Sequence, residues 1–242
     1  MTTTEHPAGP GLAAVGVTVR YEDRVVLDDV HLAVRPGQTL GLRGPSGTGK
    51  TTLLRVLALL HRPDAGHVTL DAEPVGGVRH AVPAATRRRI AVLFQSPRAA
   101  CDPRLTLHQI IAEPLRVADP STPPLTAVRE LADRVGLTEE LVSRRPHAVS
   151  DGQLQRACLA RALAQNPDYL LTDEATTMVD ASTQAHLVAV IRDHQQATGL
   201  GVLAVSHDSA LLDRWADRTV DLEAMQNHRA SPRLGEHVPW VC

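Results

Sequence analysis

The residues with the most distinctive chemistry stand at 44–51. There Gly44, Pro45, Ser46, Gly47, Thr48, Gly49, Lys50 and Thr51 match the pattern GxxxxGK[ST] in full, and Thr52 follows. Glycines at three of these positions let successive backbone N–H groups turn inward, where they can receive phosphate oxygens at the positive end of a helix. Lys50 adds a compact charge that can reach β- and γ-phosphates, and the Thr51 hydroxyl is a hard oxygen ligand suited to Mg²⁺. The chain has 25 basic residues, and every one except Lys50 is arginine. A chain that uses the planar guanidinium everywhere else keeps an ammonium here, so this position calls for a point charge. A Gly-rich turn that merely opens a helix accounts for neither the full match nor the lone lysine.

A second constellation closes an apolar run, where Tyr169 to Thr172 lead into Asp173 and Glu174. Adjacent carboxylates at a strand's C-terminal end stand where parallel sheets bind ligands. Asp173 would hold Mg²⁺ through water, and Glu174 would polarise an attacking water as general base. Acids follow strands by chance, and only the phosphate loop upstream gives this pair weight. Ser150, Gly152 and Gln153 open a helix as S-x-x-Q, the capping-box spacing, and a plain helix cap suffices for them taken alone. Gln95, after the run 89–94, reads alone as an exposed strand end, and His207 is one of 12 histidines. Arg87, Arg88 and Arg89 read as a solvated face. Cys101, Cys158 and Cys242 are widely spaced with no CxxC pair, which excludes a disulfide framework and a thiolate zinc site.

Hydrophobic patterning supplies a scaffold that can bring these segments together. Val15, Val17 and Val19 alternate with Gly16, Thr18 and Arg20, and Val30, Leu32 and Val34 alternate with His31 and Ala33. Period two on both sides of Glu22, Asp23 and Arg24 predicts antiparallel strands. Thr39–Arg43 predicts a short strand, and the spacing of Leu53, Leu57 and Leu60 predicts a helix from Lys50 to His61. Residues 64–86 read as short strands and loops, 89–94, 169–172 and 202–206 as strands, and 151–165 and 182–197 as helices. Strands alternating with helices predict an α/β domain with a largely parallel sheet. The expected organisation is one domain with a core over 14–95 and 151–225 and a helical subdomain over 96–150, where Pro120, Pro123 and Pro124 separate amphipathic stretches. Residues 1–13 read as frayed and 226–242 as an irregular tail.

Composition sets outer limits. A chain of 242 residues with 43% hydrophobic and 21% charged residues can bury a full core and is not disordered as a whole. Its longest aliphatic run, Val56 to Leu60, is far below the roughly 18–20 residues of a membrane-spanning helix. The N-terminal residues lack the apolar segment of a signal peptide. A net charge of −2 argues against a broad electrostatic surface for nucleic acid.

Ser150 precedes the acidic strand by about 20 residues and is followed by Gln153, Leu154, Gln155 and Arg156. With this placement the chain resembles the ATPase subunits of ABC transporters, whose signature reads LSGGQ. The resemblance covers about residues 15–222 and implies a RecA-like P-loop core with an antiparallel β subdomain and an inserted α-helical subdomain. It implies ATP and Mg²⁺ as ligands, with Lys50, Thr51, Gln95, Asp173, Glu174 and His207 around one ATP. In that arrangement residues 44–52 cradle the phosphates, Thr51, Gln95 and Asp173 surround the metal, and His207 senses the γ-phosphate. Tyr21 would stack on adenine, core filling being the competing reading of that residue. Ser150, Gly152 and Gln153 would touch the ATP held by a partner subunit, and Asp180 would lie at the dimer interface.

Residues 94–115 (FQSPRAACDPRLTLHQIIAEPL) and 173–185 (DEATTMVDASTQA) are together similar to the peptide/nickel importer branch. That likeness implies ATP-driven uptake of peptides, nickel or a metal chelate at the cytoplasmic face of the membrane. The implied partners are a second, different ATPase subunit forming a heterodimer, two membrane permeases and an extracytoplasmic substrate-binding protein, with no nucleic acid. The chain resembles the shorter ATPase of that branch. One alternative is a non-transport ABC ATPase, although only about 55 residues without heptads separate Gln95 from Ser150. Another is a weakly active regulatory partner. Val149 stands where the family has Leu, Asp151 where it has Gly, and Ala175 where it has Pro. Of these, Asp151 would bring a carboxylate toward the partner-bound γ-phosphate and weaken that site.

Overall fold

The parallel strands that carry the candidate residues are buried on both faces, which requires cover on both sides. The computed structural model of the protein describes residues 10–121, 124–174 and 180–227. Pro123, Ala175, Cys242 and residues 228–242 of the expected tail lie outside that description.

The chain opens with β1 (Leu12–Tyr21) and β2 (Arg24–Val34), a hairpin closed at Glu22 and Asp23. β3 (Thr39–Arg43) leads through the glycine-rich loop into α1 (Lys50–Leu57). β4 (Ala65–Leu70), β5 (Glu73–Pro74), a 3-10 turn at Arg79–Ala81 and α2 (Ala84–Arg88) precede β6 (Ile90–Leu93). A helical stretch follows with α3 (Leu107–Ala118), α4 (Leu125–Arg134), α5 (Glu139–Val142) and a 3-10 turn at Pro146–Ala148, then α6 (Asp151–Ala164). The chain returns through β7 (Tyr169–Asp173), α7 (Ala181–Thr198), β8 (Gly201–Val205), α8 (Ser209–Trp215), β9 (Arg218–Asp221) and α9 (Leu222–Asn227).

An antiparallel sheet has the order β2-β1-β4-β5, and a parallel sheet has the order β6-β7-β8-β3-β9. This is the α/β architecture expected of a RecA-like P-loop core with an antiparallel sheet beside it. Side-chain alternation divides the interior in two. Leu40, Leu42, Leu171, Leu203 and Val205 pack with α1 and the antiparallel sheet. Leu170, Val202 and Ala204, one residue out of phase, pack with α3, α4, α6 and α7. Fully burying a leucine such as Leu40 contributes about 1.5–3 kcal/mol.

Four expectations change. Leu12 and Ala13 are buried in β1 rather than frayed. Val15 does not share the buried face of Val17 and Val19, because a bulge at Gly16 (φ +63) shifts the pairing between Ala14 and Val17. The first helix ends at Leu57 rather than His61. Leu59 turns left-handed (φ +60), which sends Leu59 into the core and leaves Leu60 exposed. Gln226 and Asn227 belong to α9, so the chain is still helical where the irregular tail was expected to begin.

Candidate functional site

Strand order explains how residues far apart in sequence meet. β6, β7, β8 and β3 are consecutive neighbours with parallel register, Leu93 opposite Thr172, Asp173 opposite Val205, and Leu42 opposite Val205. Their C-terminal ends therefore release Gln95, Glu174, His207 and the 44–49 loop in that order along one edge of the sheet. This is where open parallel sheets bind ligands.

The loop between β3 and α1 is built to leave backbone donors exposed to a ligand. The N-cap of α1 is Gly49 (φ +101), with no side-chain cap bond and no acid in the first turn. The longer helices α3, α6 and α7 are capped instead by Thr106, Ser150 and Asp180. A capping carboxylate or hydroxyl on α1 would occupy the N–H groups that an anion needs. Gly49 has a second constraint, since a Cβ there would lie 2.9 Å from the Val26 carbonyl oxygen and 2.8 Å from Leu27 Cδ2. Lys50 is buried, and its Nζ donates to the carbonyls of Gly44 at 2.7 Å and Pro45 at 2.8 Å. The ammonium is thus held at the mouth of the loop by groups that a stronger acceptor, a phosphate, can replace.

At the end of β7 the two acids separate in role. Asp173 is buried and accepts from Thr51 Oγ1 at 3.1 Å. Burial raises its pKa and Glu174 adds to the rise, while the Thr51 hydroxyl, Arg55 and Lys50 oppose it. A buried carboxylate beside a hydroxyl is a pair of hard oxygen donors, and a divalent cation would stabilise the charge that burial penalises, so these residues fit Mg²⁺. Thr51, Gln95, Asp173 and Arg55 line a cavity of about 360 Å³. Glu174 projects into the space between its neighbours. Its Oε2 accepts from Gln95 Nε2 at 3.3 Å, and its Oε1 lies 3.3 Å from His207 Nδ1. Its backbone is left-handed (φ +47), an arrangement that costs a non-glycine residue about 1–3 kcal/mol and clusters at functional sites. A carboxylate oriented on both sides, one residue past a candidate metal ligand, can take a proton from a water.

A second cavity, about 400 Å³, lies between the N-termini of α6 and α7 and is lined by Ser150, Asp151, Gly152, Gln153, Arg156, Asp180 and Thr183. The Ser150 and Gln153 bonds form a complete capping box, so the helix-cap reading of these residues holds structurally whatever else they do. Asp180 accepts from the Ser182 hydroxyl, from the Thr183 N–H and hydroxyl, and from the Ser182 N–H, which hold its carboxyl below the usual range. Tyr21 ends β1 half exposed, its ring 5.6 Å from that of His61. It does not fill the core.

Asp151 is paired, with Arg98 Nε 2.7 Å from its Oδ1, a partner the expectation of a weakened site did not include. Sequence reasoning missed Arg98, and also Arg55 and Arg156, which line the two cavities. It missed Gln226 too, whose Nε2 donates to the Thr48 carbonyl at 3.3 Å. One signal was present: an acid where the resembled family has glycine calls for a cation close by.

Comparisons with known proteins agree with this fold. A family model described as ABC transporter matches residues 27–177, more than half of the chain. The nickel import ATP-binding protein NikE of Escherichia coli O6:K15:H31 (strain 536 / UPEC) is 35% identical over 210 residues, covering 86% of this chain and 78% of that protein. NikE of Rhodospirillum rubrum is 36% identical over 234 residues, covering 96% of this chain and 84% of that protein. Among solved structures, the ATP-binding cassette MJ0796, in a dimeric post-hydrolysis state bound to ADP and Pi, matches with a TM-score of 0.79 at 26% identity. That match covers 87% of this chain and 93% of the other.

Proposed function

Because this chain belongs to the ABC transporter family, as an ATPase of its nickel/peptide importer branch, we propose that it drives nickel uptake, as the ion or as a chelate. The observation that carries the catalytic part is the alignment of Gln95, Glu174, His207 and the 44–49 loop along one sheet edge. Peptide is the second cargo reading, supported by the likeness of residues 94–115 and 173–185 to that branch.

In this reading residues 44–52 receive the phosphates of ATP, Lys50 exchanges its loop carbonyls for phosphate oxygens, and Tyr21 stacks on the adenine. Thr51, Asp173 and Gln95 would hold Mg²⁺, which when bound would supply positive charge against the phosphates. Glu174 positions a water and accepts its proton, while Gln95 and His207 fix the carboxylate's plane and His207 contacts the γ-phosphate. Ser150, Gly152 and Gln153, with Asp180 beside them, meet the ATP of a second ATPase subunit. The heterodimer closes on two nucleotides and reopens after hydrolysis. We place the core at 14–95 and 151–225 and assign the 96–150 helices the task of passing this motion to two permeases at the cytoplasmic face of the membrane. An extracytoplasmic binding protein delivers the cargo. α6 shares one hydrophobic core with α3 and α4, a rigid route for that coupling.

The test is removal of the chain from its host and complementation with the wild type or with Glu174→Gln. Cell nickel, measured by elemental analysis, is expected to fall on removal and to recover only with the wild type. Unchanged nickel with lost growth on a peptide nitrogen source moves the cargo to peptide. Unchanged nickel and unchanged growth contradict the importer reading.

A further inference from the structure

The segment 94–101 lines the cavity beside Thr51 and Asp173 through Phe94, Gln95, Ser96, Ala99 and Ala100, and is tied to α6 along its length. Gln155 Nε2 donates to the Phe94 carbonyl at 3.3 Å, and Arg161 Nη1 donates to that of Ala100 at 2.8 Å. Cys101 Sγ lies 3.4 Å from Cys158 Sγ. Between these ties stands Arg98, whose guanidinium uses all three nitrogens on the six-residue stretch 146–151 that precedes and opens α6. Nη1 donates to the Pro146 carbonyl at 2.9 Å, Nη2 to that of Val149 at 3.1 Å, and Nε pairs with Asp151 Oδ1 at 2.7 Å.

Each part of this arrangement has a physical consequence. Both side chains are about half exposed (47% and 49%), so the ion pair alone contributes little to stability. What a planar fork supplies is direction: three N–H groups in fixed relation hold three acceptors in fixed relation, which a flexible ammonium does not. Those acceptors are the backbone before Ser150 and the side chain after it. Arg98 therefore sets where the Ser150–Gln153 cap sits relative to the loop that carries Gln95. It also places a positive charge against Asp151, one of the two acids lining the cavity that Ser150, Gly152 and Asp180 share.

We propose that Arg98 is a positioning residue for the ATP site formed with the partner subunit, fixing the Asp151 carboxylate at the edge of that site and cancelling its charge. The pair lets this chain carry an acid in its signature without losing the site. The inference rests on the reading that Ser150 and Gly152 meet a partner-bound ATP.

The test uses the full chain assembled with its ATPase partner, with turnover measured against ATP concentration at low and high ionic strength. Arg98→Gln leaves Asp151 unpaired and is expected to raise KM for ATP roughly 3–10-fold at low salt, with a smaller rise at high salt. Adding Asp151→Asn to Arg98→Gln should bring KM most of the way back, and Asp151→Asn alone should lower it. Arg98→Lys, which keeps the charge but not the fork, should fall between wild type and Arg98→Gln. If KM is unmoved in Arg98→Gln, or if the second substitution fails to rescue it, the proposal is wrong and Arg98 serves only to hold the loop. Ser150→Arg separates the two levels. Lost turnover in Ser150→Arg with an unmoved Arg98→Gln sinks this inference alone, whereas normal turnover in Ser150→Arg sinks the composite-site reading beneath it.

Discussion

Glu174→Gln is expected to lower ATP turnover by roughly 10²–10⁴-fold, the usual contribution of a positioned general base, while Mg·ATP remains bound. Glutamine keeps the length and shape of the side chain, so an amide oxygen can still accept from Gln95 Nε2, which lies 3.3 Å from the native carboxylate. What is lost is the second oxygen's capacity to take a proton. Binding is expected to be spared because the proposed phosphate contacts would reside in the 44–52 loop and the proposed metal contacts in Thr51, Gln95 and Asp173, none of which is altered. The variant should therefore accumulate with its ATPase partner as a closed, nucleotide-filled dimer, seen as an ATP-dependent increase in dimer by size-exclusion chromatography. Phosphate release near the wild-type rate would remove Glu174 from the role of base.

Asp173→Asn should act in two opposite directions. Its carboxylate is buried, and burial is the largest cause of its raised pKa. Above that raised value the ionised group costs the folded state stability, a penalty absent below the unfolded-state pKa where the group is protonated in both states. Asparagine removes the charge and keeps an oxygen for the Thr51 hydroxyl, so the nucleotide-free protein should melt at a higher temperature at neutral pH. In the proposed site the same change removes the carboxylate that would hold Mg²⁺ through water, and should weaken Mg²⁺-dependent turnover by about 10–100-fold. Calorimetry without nucleotide and turnover across a Mg²⁺ titration measure the two effects. A lower melting temperature together with unchanged Mg²⁺ dependence would place Asp173 among purely structural residues. This opposition between stability and activity is expected where a site keeps buried charge for function.

Much of the site was legible because its signals are local. The GxxxxGK[ST] run, the lone lysine and the acid pair after an apolar strand each carry their meaning within a few residues. Strand identity was legible for the same reason, since β3, β7 and β8 are short apolar runs bounded by turns. The phase of β1 was not, because a bulge at Gly16 moves the alternation by one residue and leaves no mark beyond a glycine. The end of α1 was hidden by Leu60, which keeps helical spacing while the backbone has already turned at Leu59. α8 and β9 are too short for periodicity to separate from loop. Arg98 was illegible for a different reason. Its partners Pro146, Val149 and Asp151 lie about 50 residues away, and only the folded α3–α6 unit brings them within hydrogen-bond reach. An arginine among so many arginines gives no signal of its own.

Whether residues 44–51 hold the phosphates of ATP can be tested on the chain's only lysine. An amine-reactive reagent can modify only Lys50 and the N-terminal amine, and peptide mass spectrometry distinguishes the two. Mg·ATP is expected to slow modification of Lys50 while leaving the N-terminal amine unchanged as an internal control. Equal rates at Lys50 with and without nucleotide would contradict the account.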